Sequence, residues 1–169
     1  YHISNSWKKF GIEISSQASK IAKKIVPNAE IANLDFEKNS YKSNFFDVIL
    51  CHQVLEHVRR PEVFLDQFSR ILKPGGSLIL CIPNFDSGCA RLFGKNYRFF
   101  HDGTHVTLFS PDSISRMVRD YGFVIENIEF PYFESEKYFN IENLKRLKDT
   151  GSVSPPFYGN LMTIYSIKK

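Results

Sequence analysis

The chain has 169 residues, 43% apolar and 24% charged, with 22 basic against 18 acidic side chains and a net charge of +4. That is the composition of an ordinary globular domain with enough apolar surface for a core, which excludes global disorder, and its widely separated basic pairs argue against a nucleic-acid footprint. No apolar run approaches the roughly 18 residues needed to cross a bilayer and nothing at the N-terminus reads as a signal peptide, so a cytoplasmic protein with no membrane partner is expected.

Lys9 to Ile14 (KFGIEI) has the alternating, β-branched pattern of a short strand and ends at Ser15-Ser16, which can cap a helix. The helix that follows places Ala18, Ile21, Ala22 and Ile25 on one apolar stripe, with Lys20, Lys23 and Lys24 toward solvent, and Pro27 stops it. Glu30 to Leu34 reads as a second strand and Asp35 to Asn44 as a loop. Phe45 to Cys51 (FFDVILC) is nearly continuous in apolar residues, as a parallel strand covered on both faces requires. A helix starts near Pro61, buries Phe64, Leu65, Phe68, Ile71 and Leu72, and is expected to end at Lys73-Pro74-Gly75-Gly76 with glycine at its C-cap. Ser77 to Ile82 is a further buried strand, stopped by Pro83-Asn84.

Residues 85–109 break this rhythm with an aromatic, basic insertion. Ser110-Pro111-Asp112 then announces a helix with Ile114, Met117, Val118 and Tyr121 on its apolar stripe and Gly122 at its end. Phe123 to Phe130 and Leu161 to Ile167 read as strands. The loop-rich segment 131–160 between them holds a helix candidate at Ile141 to Lys148 and turns at Gly151 to Gly159. This alternation predicts an α/β fold, a mostly parallel sheet with flanking helices in a single domain over residues 1–169. Cys51, Cys81 and Cys89 have no metal or redox spacing and are read as small buried hydrophobes in a reducing compartment.

In an open parallel sheet, ligands sit beyond the C-terminal strand ends. The first strand closes on Glu13, the second on Asp35, the third on Cys51-His52-Gln53 and the fourth on Pro83-Asn84. Two acids and a polar cluster at successive strand ends suit the rim of a nucleoside-like ligand, because a carboxylate there can accept both ribose hydroxyls. The competing reading of Glu13 is a negative charge at a helix N-terminus.

GIEIS at Gly11 to Ser15, LDFE at Leu34 to Glu37, FDVILCHQVLEHV at Phe46 to Val58, RILKPGG at Arg70 to Gly76, LILCIPN at Leu78 to Asn84 and the stretch from His105 to Phe123 follow one another in a telling order. Together they resemble class I S-adenosylmethionine-dependent methyltransferases, in the small-molecule branch related to ubiquinone biosynthesis. The resemblance implies a Rossmann-like sheet with an antiparallel last strand, S-adenosylmethionine as cofactor and methyl transfer to a small-molecule acceptor. It also implies that Glu13 holds the cofactor ribose, with Ile14 beside it. Asp35 would meet the adenine amine, Phe36 would pack on the ring, and Cys51 and His52 would lie along the methionine moiety. Glu56 and His57 fit the family's local pattern, and His57, just before a helix, is read as satisfying backbone groups.

The glycine-rich loop of this fold should lie roughly 20 residues before the ribose-binding acid, yet twelve residues precede Glu13. The expectation is therefore that the sequence starts inside a longer domain, its first strand and glycine loop missing, or that another segment fills that place.

Methyl transfer from a sulfonium is an in-line displacement, so the protein supplies mainly alignment and a dry pocket. A base is needed only where the acceptor must lose a proton. His52, His101 and His105 are the candidates, His105 the strongest for an acceptor-side role because it precedes a capped helix. Residues 85–109 would form a lid. Phe85, Phe93, Tyr97, Phe99, Phe100 and Phe109 either line an apolar acceptor site or pack the lid down, with Arg91, Lys95 and Arg98 free to meet an acidic group. No metal-ligand spacing is visible, since Cys51 and His52 are adjacent and His57 is not at a helical ligand spacing from either. The alternative function is a noncatalytic methyltransferase-like binding domain or gene fragment. A nicotinamide-dependent oxidoreductase fits less well, for want of its glycine fingerprint.

Overall fold

The computed structural model describes Ser4, residues 6–131 and residues 159–169, and the chain divides into two units, Tyr1–Lys42 and Ser43–Lys169. The helix candidate at Ile141 to Lys148, the turns at 151–158 and most of the 131–160 segment lie outside the described residues.

The first unit is one β-α-β element. Strand β1 (Lys9–Ile12) runs parallel to β2 (Ala29–Ala32), which two strands can do only across a crossover connection. Gly11 faces Ile31 so closely that a Cβ there would sit 2.7 Å from the Ile31 Cδ1. The crossover is helix α1 (Ser16–Ile25), opened by Ser15, whose hydroxyl accepts the Ala18 N–H, and closed before Pro27 with Lys23 and Lys24 in its last turn. Its apolar stripe is not buried as the pattern predicts. Ile21 and Ile25 are each about half exposed, and Ser19 is the one buried residue of the helix. Two four-residue strands offer a ten-residue helix too little surface to cover that stripe.

The second unit is a four-stranded sheet in the order β3-β4-β6-β5. Strand β3 (Phe46–His52) lies parallel to β4 (Leu72–Pro83), joined through helix α2 (Pro61–Ile71). Strand β6 (Leu161–Lys168) runs antiparallel to both β4 and β5 (Phe123–Glu129), so β3, β4 and β5 share one direction and only the last strand is reversed. That is the expected Rossmann-like arrangement with an antiparallel last strand.

Helix α2 starts on Pro61 and buries Phe64, Leu65, Phe68 and Ile71, as its spacing predicts. Its end differs. The helix stops at Ile71, and Leu72 to Gly76 already belong to β4. The Asn44 and Phe45 N–H groups donate to the Arg70 and Ile71 carbonyls at 3.0 and 2.8 Å, taking up acceptors that a glycine cap would otherwise have satisfied. Gly75 keeps a left-handed backbone (φ +74°), but it serves a bulge: strand partners jump from Phe46–Leu72 to Val48–Ser77, leaving residues 73–76 opposite Asp47.

The core of this unit is built on β4, whose C-terminal half is buried from Leu80 through Pro83, and on the alternate residues Met162, Ile164 and Ser166 of β6. The Ser166 hydroxyl donates to the Leu78 carbonyl at 3.0 Å, which satisfies it inside the sheet. Strand β3 is an edge strand of this sheet and is not covered on both faces, because Leu50 is 60% exposed. Helix α3 (Gly88–Phe93) is short, and helix α4 (Pro111–Asp120) buries Ile114 and Val118 beneath a Ser110–Ser113 capping box. Gly122, at φ +87°, follows its C-cap. Among the described residues no helix is long and apolar enough to cross a membrane.

Candidate functional site

Glu13 leaves β1 with its N–H bonded to the Ala32 carbonyl of β2 at 3.0 Å. The Asn33 amide donates to the carbonyls of both Glu13 and Ile14, at 2.8 and 2.9 Å, and so fixes the turn between strand end and helix. The Glu13 Oε1 accepts the Ser15 N–H at 2.7 Å, which is the helix-entry role weighed above. Its second oxygen has no partner among the described residues. Asp35, just past β2, does the same: Oδ1 accepts the Glu37 N–H at 3.1 Å and caps the single turn Phe36–Lys38. Two carboxylates thus stand at the C-terminal ends of adjacent parallel strands, a spacing of about 4.8 Å between chains, each with acceptor capacity left over. Ile14 is exposed and Phe36 half-buried beside them.

In the second unit, β3 ends on buried Cys51 and exposed His52. Burial pushes the Cys51 thiol up to about 12, with Glu56 adding to the effect and the Leu55 N–H working against it. Gln53 takes a left-handed backbone (φ 53°), held by its N–H on the Cys81 carbonyl at 2.8 Å and its side-chain amide on the same oxygen at 3.4 Å. Asn84, which ends β4, is fully buried: its amide donates to the Gly159 carbonyl and its oxygen accepts the Asp86 N–H, both at 3.0 Å. It braces the strand end.

Beyond β3 the backbone makes a single turn at Leu55–His57 that is strapped to a segment about 50 residues away. The Glu56 carbonyl accepts the Val106 and Thr107 N–H groups at 2.8 and 3.1 Å, and the Thr107 hydroxyl donates to the Val58 carbonyl at 2.7 Å. The strap brings Glu56, His57 and His105 together, with one ligand-type atom of each within 4.8 Å of the others. Glu56 is 0% exposed, and among the described residues neither carboxylate oxygen has a hydrogen-bond partner. Burial raises its pKa, against the lowering influence of its own backbone N–H and of His57, His105 and His52. The Nδ1 of His57 faces the Thr104 carbonyl at 3.0 Å and that of His105 the Phe99 carbonyl at 3.1 Å. A carbonyl can only accept, so both rings carry their proton on Nδ1 when neutral and present the Nε2 lone pair. Sequence reading saw His57 and His105 as separate structural or acceptor-side residues and missed their meeting, because nothing in their spacing encodes the strap.

The 85–109 segment packs largely on itself. Cys89, Ala90 and Tyr97 form a buried cluster with Phe93 and Phe99, and Phe109 is buried, whereas Phe100 stays 41% exposed and stacks on Phe85 with ring centroids 5.5 Å apart. Arg91 is held by Asp86 in a two-pronged pair at 2.9 and 3.0 Å. Lys95 is exposed, and its carbonyl faces the His101 Nε2 at 2.6 Å. The Arg98 side chain lies outside the described residues. Asp102, beside His105, has its carboxyl held below the usual range by the Thr104 hydroxyl and N–H.

The family model described as a methyltransferase domain matches residues 4–128. An uncharacterized protein of Methanocaldococcus jannaschii is 29% identical over 118 residues, 68% of this chain and 55% of that protein. A ubiquinone biosynthesis O-methyltransferase of Psychrobacter arcticus is 33% identical over 89 residues, 49% of this chain and 35% of that enzyme. The chain thus spans about half or less of the length of these curated relatives. Among solved structures, a SAM-dependent methyltransferase of Thermotoga maritima superposes with a TM-score of 0.70 at 24% identity, covering 95% of this chain and 73% of that one, a likeness of fold.

Proposed function

The chain belongs to the methyltransferase-domain family, and on that footing we propose that it serves methyl transfer from S-adenosylmethionine to a small-molecule acceptor. The observation that carries this reading is the pair of strand-end carboxylates, Glu13 and Asp35, each with one oxygen committed to a backbone N–H and the other without a partner among the described residues. A nucleoside offers donors to match: two vicinal ribose hydroxyls for Glu13 and an exocyclic amine for Asp35. The residues present therefore fit the nucleoside end of the cofactor. Ile14 supplies an exposed apolar surface beside Glu13, and Phe36 a half-buried ring beside Asp35.

The cofactor, when bound, supplies a methyl group on a positively charged sulfur that is already a good leaving group. Glu13 and Asp35 orient the nucleoside by charge-assisted hydrogen bonds. Cys51 and His52 at the end of β3 are assigned to the methionine end, Cys51 through shape and backbone, since its buried thiol holds its proton well beyond neutral pH. His105 is assigned to the acceptor side, where its Nε2 lone pair is available to receive a proton from an acidic hydroxyl.

Calorimetry with S-adenosylhomocysteine tests the proposal, on this chain and on the chain extended upstream. Loss of one charge-assisted bond of about 1.5–3 kcal/mol predicts roughly ten- to hundredfold weaker binding for Glu13→Gln and for Asp35→Asn. Absence of binding by the extended chain, or unchanged affinity in both variants, would overturn it.

A further inference from the structure

We propose that a cleft of about 680 Å3 along helix α4 binds a phosphate monoester carried on an apolar body. The inference is independent of the methyl-transfer reading, because its residues come from positions 86–91, from α4 and from the end of β5, and none lies at β1, β2 or β3. The volume falls within the roughly 300–1,000 Å3 of small-molecule sites. Asp112, Ser115, Arg116 and Arg119 line the cleft as one stripe of α4, at positions i, i+3, i+4 and i+7. Ile128 and Phe130, both half-buried, add an apolar surface.

The charge in this cleft is unevenly compensated. Arg91 has its own counter-ion, since Asp86 accepts its Nε and Nη2 at 3.0 and 2.9 Å, which fixes the guanidinium plane and offsets its charge. Arg116 and Arg119 have nothing of the kind. Both are exposed, and neither has a hydrogen-bond or ion-pair partner among the described residues, not even Asp112, which stands four positions before Arg116. Ser115 supplies an independent observation. It is 7% exposed, yet among the described residues its hydroxyl makes no hydrogen bond, not even back to the Pro111 carbonyl one turn earlier. An unpartnered hydroxyl on a nearly buried side chain that lines a cleft is a position for a ligand oxygen to satisfy.

The donor set selects the ligand class. Two guanidiniums and a hydroxyl on neighbouring turns of one helix offer donors from three side chains. A phosphate monoester presents three terminal oxygens to such a set, whereas a planar carboxylate presents two. Its charge of about −1.5 to −2 at neutral pH also matches two unpaired cations, against which Asp112 is the one acid of the stripe. Ile128 and Phe130 gain nothing from bare phosphate, so the apolar part of the lining calls for an aromatic or aliphatic body attached to it.

The test titrates the chain with phenyl phosphate and follows the arginine Nε–H resonances by 15N NMR. Arg116 and Arg119 should shift together and saturate with one dissociation constant of about 1 mM or below, while exposed Arg59, remote in sequence from the stripe, stays in place. Inorganic phosphate, which lacks the apolar body, and benzoate, which lacks the third oxygen, should each bind at least about fivefold more weakly, and benzyl alcohol should produce no saturable shift. Arg116→Gln and Arg119→Gln should each weaken phenyl phosphate by at least about tenfold, as loss of one charge-assisted bond predicts, and Ser115→Ala by about threefold. Neither arginine change removes a buried group, so both variants should fold as the wild type does, and the wild-type titration stands without them. Shifts of Arg59 equal to those of Arg116 and Arg119, benzoate binding as tightly as phenyl phosphate, or affinity unchanged in both arginine variants would overturn the proposal.

Discussion

Cys51 sits where a reactive thiol would attract notice, at the end of β3 beside His52, and its burial leads to a quantitative expectation. The structure moves its pKa from 9.0 to about 12, chiefly by desolvation. At pH 8 the thiolate fraction then falls from about one in ten to about one in ten thousand, and since the thiolate is the nucleophile, alkylation should slow by about a thousandfold. Cys89, also raised to about 12 by burial, should behave alike. Brief exposure to iodoacetamide at pH 8, followed by peptide mass spectrometry, compares the folded chain with the same chain in denaturant. Labelling of Cys51 within tenfold of the denatured rate, in protein that remains folded, would refute the reasoning. The same shift sets a sign for alkaline stability. A folded thiol that keeps its proton while the unfolded one releases it above 9.0 makes the protein less stable as pH rises from about 9 toward 12. Cys51→Ala should therefore flatten that alkaline decline.

Three further outcomes follow from local geometry. Ser110→Ala removes the hydroxyl that accepts the Ser113 N–H at 3.2 Å, keeps the backbone bond of the box, and should cost about 1 kcal/mol in urea unfolding with no change in slope. Gly75→Ala should cost about 1–2 kcal/mol for its left-handed backbone alone, because nothing crowds a Cβ there. Gly76→Ala should cost more, since its Cβ would lie 2.9 Å from the Lys73 oxygen and 3.0 Å from the Asp47 oxygen; equal losses at the two glycines would contradict the bulge geometry. Thr107→Val, which deletes the 2.7 Å bond to the Val58 carbonyl, should destabilise by about 1 kcal/mol in urea unfolding. An unchanged unfolding midpoint would show that this hydroxyl does not hold the strap between residues 56–58 and 104–107.

The local elements were legible because each is set by residues close in sequence. Ser15 and Ser110 cap helices, Pro61 opens one, Gly122 follows the end of another, and the periodic Phe64, Leu65, Phe68 and Ile71 of α2 are buried as expected. The strand-end acids were legible for the same reason, as Glu13 and Asp35 follow directly from where β1 and β2 stop. What failed depended on partners. The stripe of α1 is amphipathic but half exposed, and Leu50 of apolar β3 is open, because periodicity reports a capacity for burial and not the presence of a covering layer. The glycine cap predicted for α2 lost to carbonyl acceptors claimed by Asn44 and Phe45.

The sequence by itself therefore determined the α/β order, the helix boundaries set by capping and the acids at the ends of β1 and β2, all products of short-range backbone chemistry. The tertiary structure alone decided that Glu56 and His57 meet His105. That meeting needs the backbone strap between residues 56–58 and 104–107, whose hydrogen bonds join groups nearly 50 positions apart and carry no side-chain pattern that could announce them.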